Sequence, residues 1–506
     1  MDIPPAVRRD FFQEGQMWSH GDLTSYIPIY ALSMLLIATT APNTVASHNT
    51  FVTLSVTDYG ADTTGATLST KPIQKAIDEV NKRGGGTVLV PPGRYLVTSL
   101  RLKSGVTLRI ERNAELIASP HQKDYSHRIA IIQGVNASHV AIEGQGAIDG
   151  GGDHFFDPKD RLPVSGNRPS KILSFTDCTD LFINGITLKN SVDWTCKLTN
   201  CERAVVSDVT IRNPPGAERR RTDGIDIICC RYILVERCDI ETGDDAICLK
   251  SFLGNNVPIA EHPPMHDILI RNCTVASTSN ATKIGTETVG EIRDVIFERI
   301  TVRKHPQAEH GNPMKSGACI AAISIQSNDG ADVHHISYRR YTIEHCGTPI
   351  FLLLQDRDSH VESDLGYLHD IEIDDITCKR SDASCQINVC EGAKIGNVIL
   401  SNLNIHNFEH EHTTQLPPHP SGGYPDAHRY GSMPAYGLFA RNVNSLTLKG
   451  NINFYDDGGS GREKLVLENV SSFISPDYSC ASDFIVSAVV IAIVIGIASN
   501  TIANTI

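Results

Sequence analysis

Residues 203–211 read RAVVSDVTI, residues 232–240 read YILVERCDI and residues 267–275 read DILIRNCTV. In each, β-branched residues alternate with polar ones, the period of a strand with one buried face. The pattern extends upstream to HVAIEGQGAI at 139–148 and DLFINGITL at 180–188. Downstream it continues through RDVIFERITV at 293–302, HHISYRRYTI at 334–343, LHDIEIDDI at 368–376 and IGNVILSNLNI at 395–405. A cluster of Asn, Asp, Gly or Ser follows each segment. The starts recur about 23 to 41 residues apart, as expected of fixed coils joined by loops of changing length. The expectation is an all-β chain forming one right-handed parallel β-helix, in which each coil buries its apolar face only against its neighbours. A β-sandwich or propeller is the runner-up; the irregular period and the lack of paired hairpin turns count against both.

Helix is scarce. Residues 71–84, KPIQKAIDEVNKRG, place Ile73, Ala76, Ile77 and Val80 at helical spacing, and Gly84 to Gly86 then stop the pattern. This segment is expected to cap the open N-terminal end of the coil. The predicted body runs over residues 50–475.

The ends differ from this body. Residues 26–41, YIPIYALSMLLIATTA, form an apolar run with Thr44 and Ala46 placed as in a cleavage site. Region 1–46 therefore reads as a signal peptide or a signal anchor, with a buried helix as the alternative. Region 476–506 holds the uncharged run FIVSAVVIAIVIGIA at 484–498, with Ser479, Ala481 and Ser482 just upstream. It reads as a lipid-anchor signal, a short membrane tail or a final strand. Secretion is the expectation, with membrane or lipid association through a terminal segment as a variant. Asn136, Asn272, Asn280 and Asn469 each open an N-x-Ser/Thr sequon and are glycan candidates on a eukaryotic secretory route.

The chain has 506 residues, 45 Lys and Arg against 58 Asp and Glu, and a formal net charge of −13. The acidic balance argues against nucleic-acid binding. It leaves room for a basic cleft on an acidic protein. The 14 cysteines are too dilute for a small disulfide scaffold, and no CxxC pair stands near a His pair, so no zinc or other metal site is assigned. Cys196 and Cys201 can close a short loop; most of the others read as small core residues.

The chemistry gathers in residues 219–251, RRRTDGIDIICCRYILVERCDIETGDDAICLKS. Asp223 and Asp244 are 21 residues apart, close to one coil, so they and Asp245 are predicted on neighbouring coils stacked about 4.8 Å apart. Ile225 and Ile227 take the inward parity, which puts Asp226 outward. Asp223 and Asp245 share the inward parity, where burial would be costly. The backbone is therefore expected to turn at Gly224 and Gly243, by glycine's freedom, and to bring the acids out to the surface. Glycoside hydrolysis uses such a group: one protonated carboxyl for the leaving oxygen and one carboxylate for water or the sugar. Crowding keeps one member protonated. A calcium site or turn-capping carboxylates are the alternatives.

The chain resembles glycoside hydrolase family 28, the polygalacturonases and rhamnogalacturonases. GDDAICLKS at 243–251 looks like that family's GDD-x-I-x-x-KS, and RTDGIDI at 221–227 looks like its NTDGIDI. VTDYGAD at 56–62 and IQKAIDEVNKRGGGTVLVPPGRYLV at 73–97 resemble the cap of pectin-acting β-helices. RPSKILSFTDC at 168–178, NSVDWTCKLTNC at 190–201 and PAYGLFARNVNSLTLKG at 434–450 are similar to the family's other coils. The resemblance covers residues 50–475. It implies a pectin-lyase-like β-helix and hydrolysis of a pectin-type polysaccharide by a monomer without a cofactor. It makes Asp244 the general acid and Asp223 with Asp245 the base pair. It also implies inversion, for which the carboxyls should stand about 6.5–9.5 Å apart.

Three departures matter. The family's Asn before the TD pair is Arg221 here. Its Gly-His-Gly is replaced by SNATKIGTE at 279–287, with Asn280 near the place of the His. Its Arg-Ile-Lys, which holds the galacturonate carboxylate, becomes AISIQS at 322–327, with Ser324 and Gln326 for the two cations. That loss removes charge-assisted bonds to a carboxylate, so a rhamnose or a branched pectin unit is expected there. The substrate-binding candidates are Lys283, Arg221, Lys250, Asp226 and Asn280, with Arg219 and Arg220 as further replacement cations or part of a solvated basic loop. Glu287 reads as a structural acid, with an extra site carboxylate as the alternative. Trp194 either stacks on a sugar or packs between coils. His406, His410, His412, His419 and His428 mark a long loop read as a cleft wall; metal binding is the alternative, and no ligand spacing repeats to favour it. The competing readings are a polysaccharide lyase and a non-catalytic carbohydrate-binding surface protein.

Overall fold

The computed structural model describes residues 52–157, 159–215, 221–306, 318–357, 365–475 and 485–487. Region 1–46, Arg219, Arg220 and the tail apart from 485–487 lie outside these residues. Within them the chain is a right-handed parallel β-helix. Residues stack in register from coil to coil. Val140, Leu181, Ala204, Ile233, Ile268, Val295, Ile336, Ile371, Val398 and Leu446 form one continuous column. All ten are at most 2% exposed. The alternation read from the sequence is thus the inward face of this column.

The corner before the column is built the same way each time. His139, Asp180, Arg203, Tyr232, Asp267, Asp294, His335 and Asp370 directly precede its first eight members, and all have φ between 52° and 59°. A left-handed residue other than Gly costs roughly 1–2 kcal/mol. Asp and His are enriched in this region, but Arg and Tyr are not. Stacking of identical corners over-determines the conformation.

The capping helix is Thr70–Lys82, with Ile73, Ala76, Ile77 and Val80 fully buried against the first coils. Covering an Ile this way contributes about 1.5–3 kcal/mol. Gly84, Gly85 and Gly86, all with positive φ, lead out of it. At the other end, Ile485–Ser487 pairs in parallel with Val466 to Glu468 of the strand Glu463–Ile474. No helix among the described residues is long and apolar enough to cross a membrane. The 13 described cysteines are free and buried, Cys196 and Cys201 among them, so these two do not close a loop here.

Gly224 turns the chain for a reason other than the predicted one. Neither Gly224 nor Gly243 has positive φ; the left-handed residue is Arg221, at φ 69°. Gly224 is needed because a Cβ there would lie 2.4 Å from the Ala246 carbonyl oxygen of the next coil and 2.9 Å from Ile240 Cγ2. Gly224→Ala is expected to cost about 1–3 kcal/mol by overpacking, read from urea melts. An unchanged midpoint would mean that the coils part without penalty.

Candidate active site

Two turns on neighbouring coils hold the acids. Asp223 precedes the strand Ile225–Ile228, and Asp244 and Asp245 precede the strand Ile247–Lys250. These strands pair Ile225 with Ile247 and Ile228 with Lys250. The turns are locked by backbone bonds, Gly224 N–H to the Asp245 carbonyl and Ala246 N–H to the Asn280 carbonyl, both 2.9 Å. Thr242 Oγ1 and Ser277 Oγ donate to the Asp244 carbonyl at 2.6 and 2.7 Å. One oxygen from each of Asp223, Asp244 and Asp245 lies within 4.8 Å of the others. The three acids do gather, as the one-coil spacing predicted.

They do not emerge onto an open surface. Asp223 is 4% and Asp245 3% exposed, with Asp244 half-buried. The facing oxygens, one from each carboxyl, are within 4.8 Å, inside the roughly 6.5–9.5 Å expected between carboxyl groups for inversion. The cause is the scaffold: one coil of rise separates Asp223 from Asp245, and Asp244 is adjacent in sequence.

The three carboxyls differ in what they touch. Asp245 Oδ1 accepts from Ser279 Oγ at 2.7 Å, Asn280 Nδ2 at 2.7 Å and Asn280 N–H at 3.0 Å. Its Oδ2 accepts from Lys283 Nζ at 2.9 Å. Burial alone would raise its pKa, but the Lys283 charge and these bonds hold it down at about 2. Asp244 accepts Arg221 N–H at 3.0 Å, yet burial and then the Asp245 charge raise it. Asp223 is raised well above an ordinary carboxyl by burial, then by Asp226 and Asp244. Asp223 and Asp245, expected as a matched base pair, are therefore electrostatically unlike. Only Asp245 is firmly ionised.

The other named residues are brought to the same place, several in unexpected roles. Asn280 holds Asp245 and is 6% exposed, so its sequon is closed in the folded chain, whereas Asn136, Asn272 and Asn469 are exposed. Lys283, 1% exposed, is committed to Asp245. The Arg221 guanidinium reaches Asp193 at 3.4 Å. Asp226, read as outward, does leave the core side, but it is fully buried beside Lys250, 3.1 Å away. Burial pushes its carboxyl up to about 6 against the Lys250 charge. Lys250 also lies 3.9 Å from Asp223 and 3.7 Å from Glu287. Ser324, in register with Lys283 on the next coil, accepts a 2.8 Å bond from Gln326 Nε2. That pair is buried and neutral.

Sequence reasoning missed Ser279, Lys171, Lys197 and Tyr424. Tyr424, 62% exposed, comes from the His-rich loop and places its hydroxyl 3.4 Å from Lys283 Nζ; the loop does wall the cleft. The signal for Lys197 was available in principle. Ser174, Lys197, Asp226, Cys248, Lys283 and Ser324 form one outward column. Lys171 and Trp194 hold the turn positions above Asp223.

Among the described residues, two side-chain clusters could hold a cation: Asp223 with Asp244 and Asp245, and Asp332 with His334 and His369. At the first, the Lys283 ammonium already neutralises Asp245, which makes the set a poor match for a divalent ion.

Residues 82–263 match the model of Glycosyl hydrolases family 28, so the resemblance read from the motifs holds. The matched stretch contains Asp223, Asp244 and Asp245. A probable polygalacturonase of Vitis vinifera is 30% identical over 285 residues, covering 52% of this chain and 57% of that one. An exo-poly-alpha-D-galacturonosidase of Dickeya chrysanthemi is 26% identical over 324 residues, covering 52% of each chain. The chain thus spans about half the length of the curated relatives it matches. The structure of the Yersinia enterocolitica family 28 exopolygalacturonase superimposes with a TM-score of 0.59 at 15% identity, over 84% of this chain and 78% of that one. This last likeness is one of fold.

Proposed function

With the family 28 glycosyl hydrolase likeness as premise, we propose that this protein hydrolyses O-glycosyl bonds in a pectin-type polysaccharide, related to galacturonan or rhamnogalacturonan. The observation that carries the reading is the split among three adjacent carboxyls. Asp244 is pushed up by burial and by its neighbour, the condition for a general acid at mildly acidic pH. Asp245 is held ionised by Lys283, Ser279 and Asn280, the condition for activating water. Asp223 completes the group from the preceding coil and shares the proton load. Lys250 links it to Asp226 and Glu287.

Beyond the acids, Ser324 and Gln326 are neutral, and the cation in register with Ser324, Lys283, is paired with Asp245, which favours a neutral sugar such as rhamnose or a branched unit over a bare galacturonate. Secretion, and action as a monomer, belong to the same proposal. A calcium-dependent lyase would rest on the same three carboxylates, but Lys283 occupies the place of the cation. The test is reducing-sugar release from galacturonan, rhamnogalacturonan and xylogalacturonan, with and without a chelator. Hydrolysis that survives the chelator and yields no unsaturated uronate supports the reading. Chelator-sensitive unsaturated product would replace it with a lyase, and no release from any of the three with a scaffold-type binder.

A further inference from the structure

Beside the acids stand two lysines that no acid among the described residues contacts directly. Lys171 and Lys197, from the two coils before Asp223, and Lys250, from the coil after it, converge on one indole. Lys250 Nζ lies 3.7 Å from the centre of the Trp194 ring, and the Lys171 and Lys197 ammonium groups each lie 5.5 Å from it. Trp194 is thus neither a plain packing residue nor an open sugar platform; it gathers cations. Lys250 is paired with Asp226. Asp193, the other acid in reach, lies 3.4 Å from Arg221 and 4.0 Å from Arg168. Among the described residues, neither Lys171 nor Lys197 has a carboxylate within ion-pair distance. Both are half-buried, and burial lowers the pKa of each. Asp193 and Asp226 act on both only at longer range, and two partly desolvated ammonium groups with no carboxylate in contact are stabilised by an incoming anion.

We infer that Lys171 and Lys197, gathered around Trp194, form a subsite for the carboxylate of an acidic sugar on the side of the cleft before the acids. This rests on the hydrolase reading above and adds the substrate's charge pattern. The cleft is cationic on the Lys171–Lys197 side and neutral at Ser324 and Gln326. A chain with acidic units at one subsite and neutral units at another fits both ends. Lys250, within 3.9 Å of Asp223 and in contact with Trp194, makes the subsite continuous with the acids.

The test is calorimetric binding of sodium-form oligogalacturonate and of the same oligomer with its carboxyls reduced to alcohols, using Asp244→Asn protein so that nothing is cut. The acidic probe is expected to bind about tenfold or more tightly than the reduced one, with affinity falling as salt rises. The double variant Lys171→Gln and Lys197→Gln should lose that preference, and the Arg pair should keep most of it. Equal affinity for the two probes in the Asp244→Asn protein itself, or a preference that survives in the Gln pair, overturns the subsite. The two proposals fail separately. Charge-dependent binding without hydrolysis by the wild type sinks the hydrolase and leaves this subsite. Hydrolysis with an unaltered preference in the Gln pair sinks the subsite and leaves the hydrolase.

Discussion

Asp244→Asn is expected to lower kcat on the cleaved polysaccharide by about 10²–10⁴-fold, the usual worth of a positioned general acid. The fold should survive the change. Thr242 and Ser277 bond the Asp244 main-chain carbonyl, an Asn oxygen can still accept one of the two N–H groups, of Arg221 and Asp245, that the carboxylate holds, and an amide removes one charge from a crowd of three. KM should move little, because the group acts on the leaving oxygen rather than on the ground state. The pH profile gives a second readout. The acid must be protonated and Asp245 ionised, so activity in the wild type should hold from above about pH 2, where Asp245 ionises, up to the raised pKa of Asp244. In the variant the alkaline limb that belongs to Asp244 should disappear. Retention of most of kcat, or an unmoved alkaline limb, would move the acid role to Asp223, the other carboxyl that burial raises. The anomer released first is a separate question. Motif resemblance implies inversion, whereas the oxygens lie within 4.8 Å of one another, nearer the spacing of retaining pairs. Proton spectra of the fresh product decide between them.

The coil was legible because its signal is repeated. Nine of the ten residues of the column lie in segments read from alternation alone, each confirming the last; Leu446 lies in the stretch that only the family resemblance covered. The TDG and GDD turns were legible because their spacing equals one coil. What could not be read is which charge neutralises which. Lys197 pairs in register with Asp226 across 29 residues, and the loop between them hides that register from any local pattern. Lys283 illustrates the consequence. Its position near the motif suggested a hand for the substrate, but the structure spends it on Asp245. The predicted surface emergence of Asp223 and Asp245 failed for a related reason. Parity was read correctly and the turns do exist, yet Asn280, Ser279 and the neighbouring coils fold over the carboxylates and replace water as their bonding partners. The role of Gly224 lay in a carbonyl of the next coil, which no local rule addresses.

Lys283→Met should produce the largest loss of stability among single changes at the site, about 3–5 kcal/mol near neutral pH, because it strands the Asp245 charge in a site 3% exposed. Met matches the stem of Lys in length and fills the same space, so the loss measures charge rather than cavity. The pH dependence carries the sign. In the wild type the Asp245 pKa falls from 3.8 to about 2 on folding. Its ionised form therefore contributes stability above pH 3.8 that is lost as pH falls through about 2. Without Lys283, burial is the largest influence remaining and pushes the same carboxyl upward. The variant should then gain relative stability as pH falls, because protonation removes the stranded charge. Urea melts of both proteins at pH 7 and pH 4 should show a gap that narrows at the lower pH. Activity should follow, with the acid limb of kcat shifted upward as Asp245 becomes harder to ionise. A stability gap of equal size at both pH values would assign Lys283 to packing against Tyr424 and leave the ionisation of Asp245 to Ser279 and Asn280.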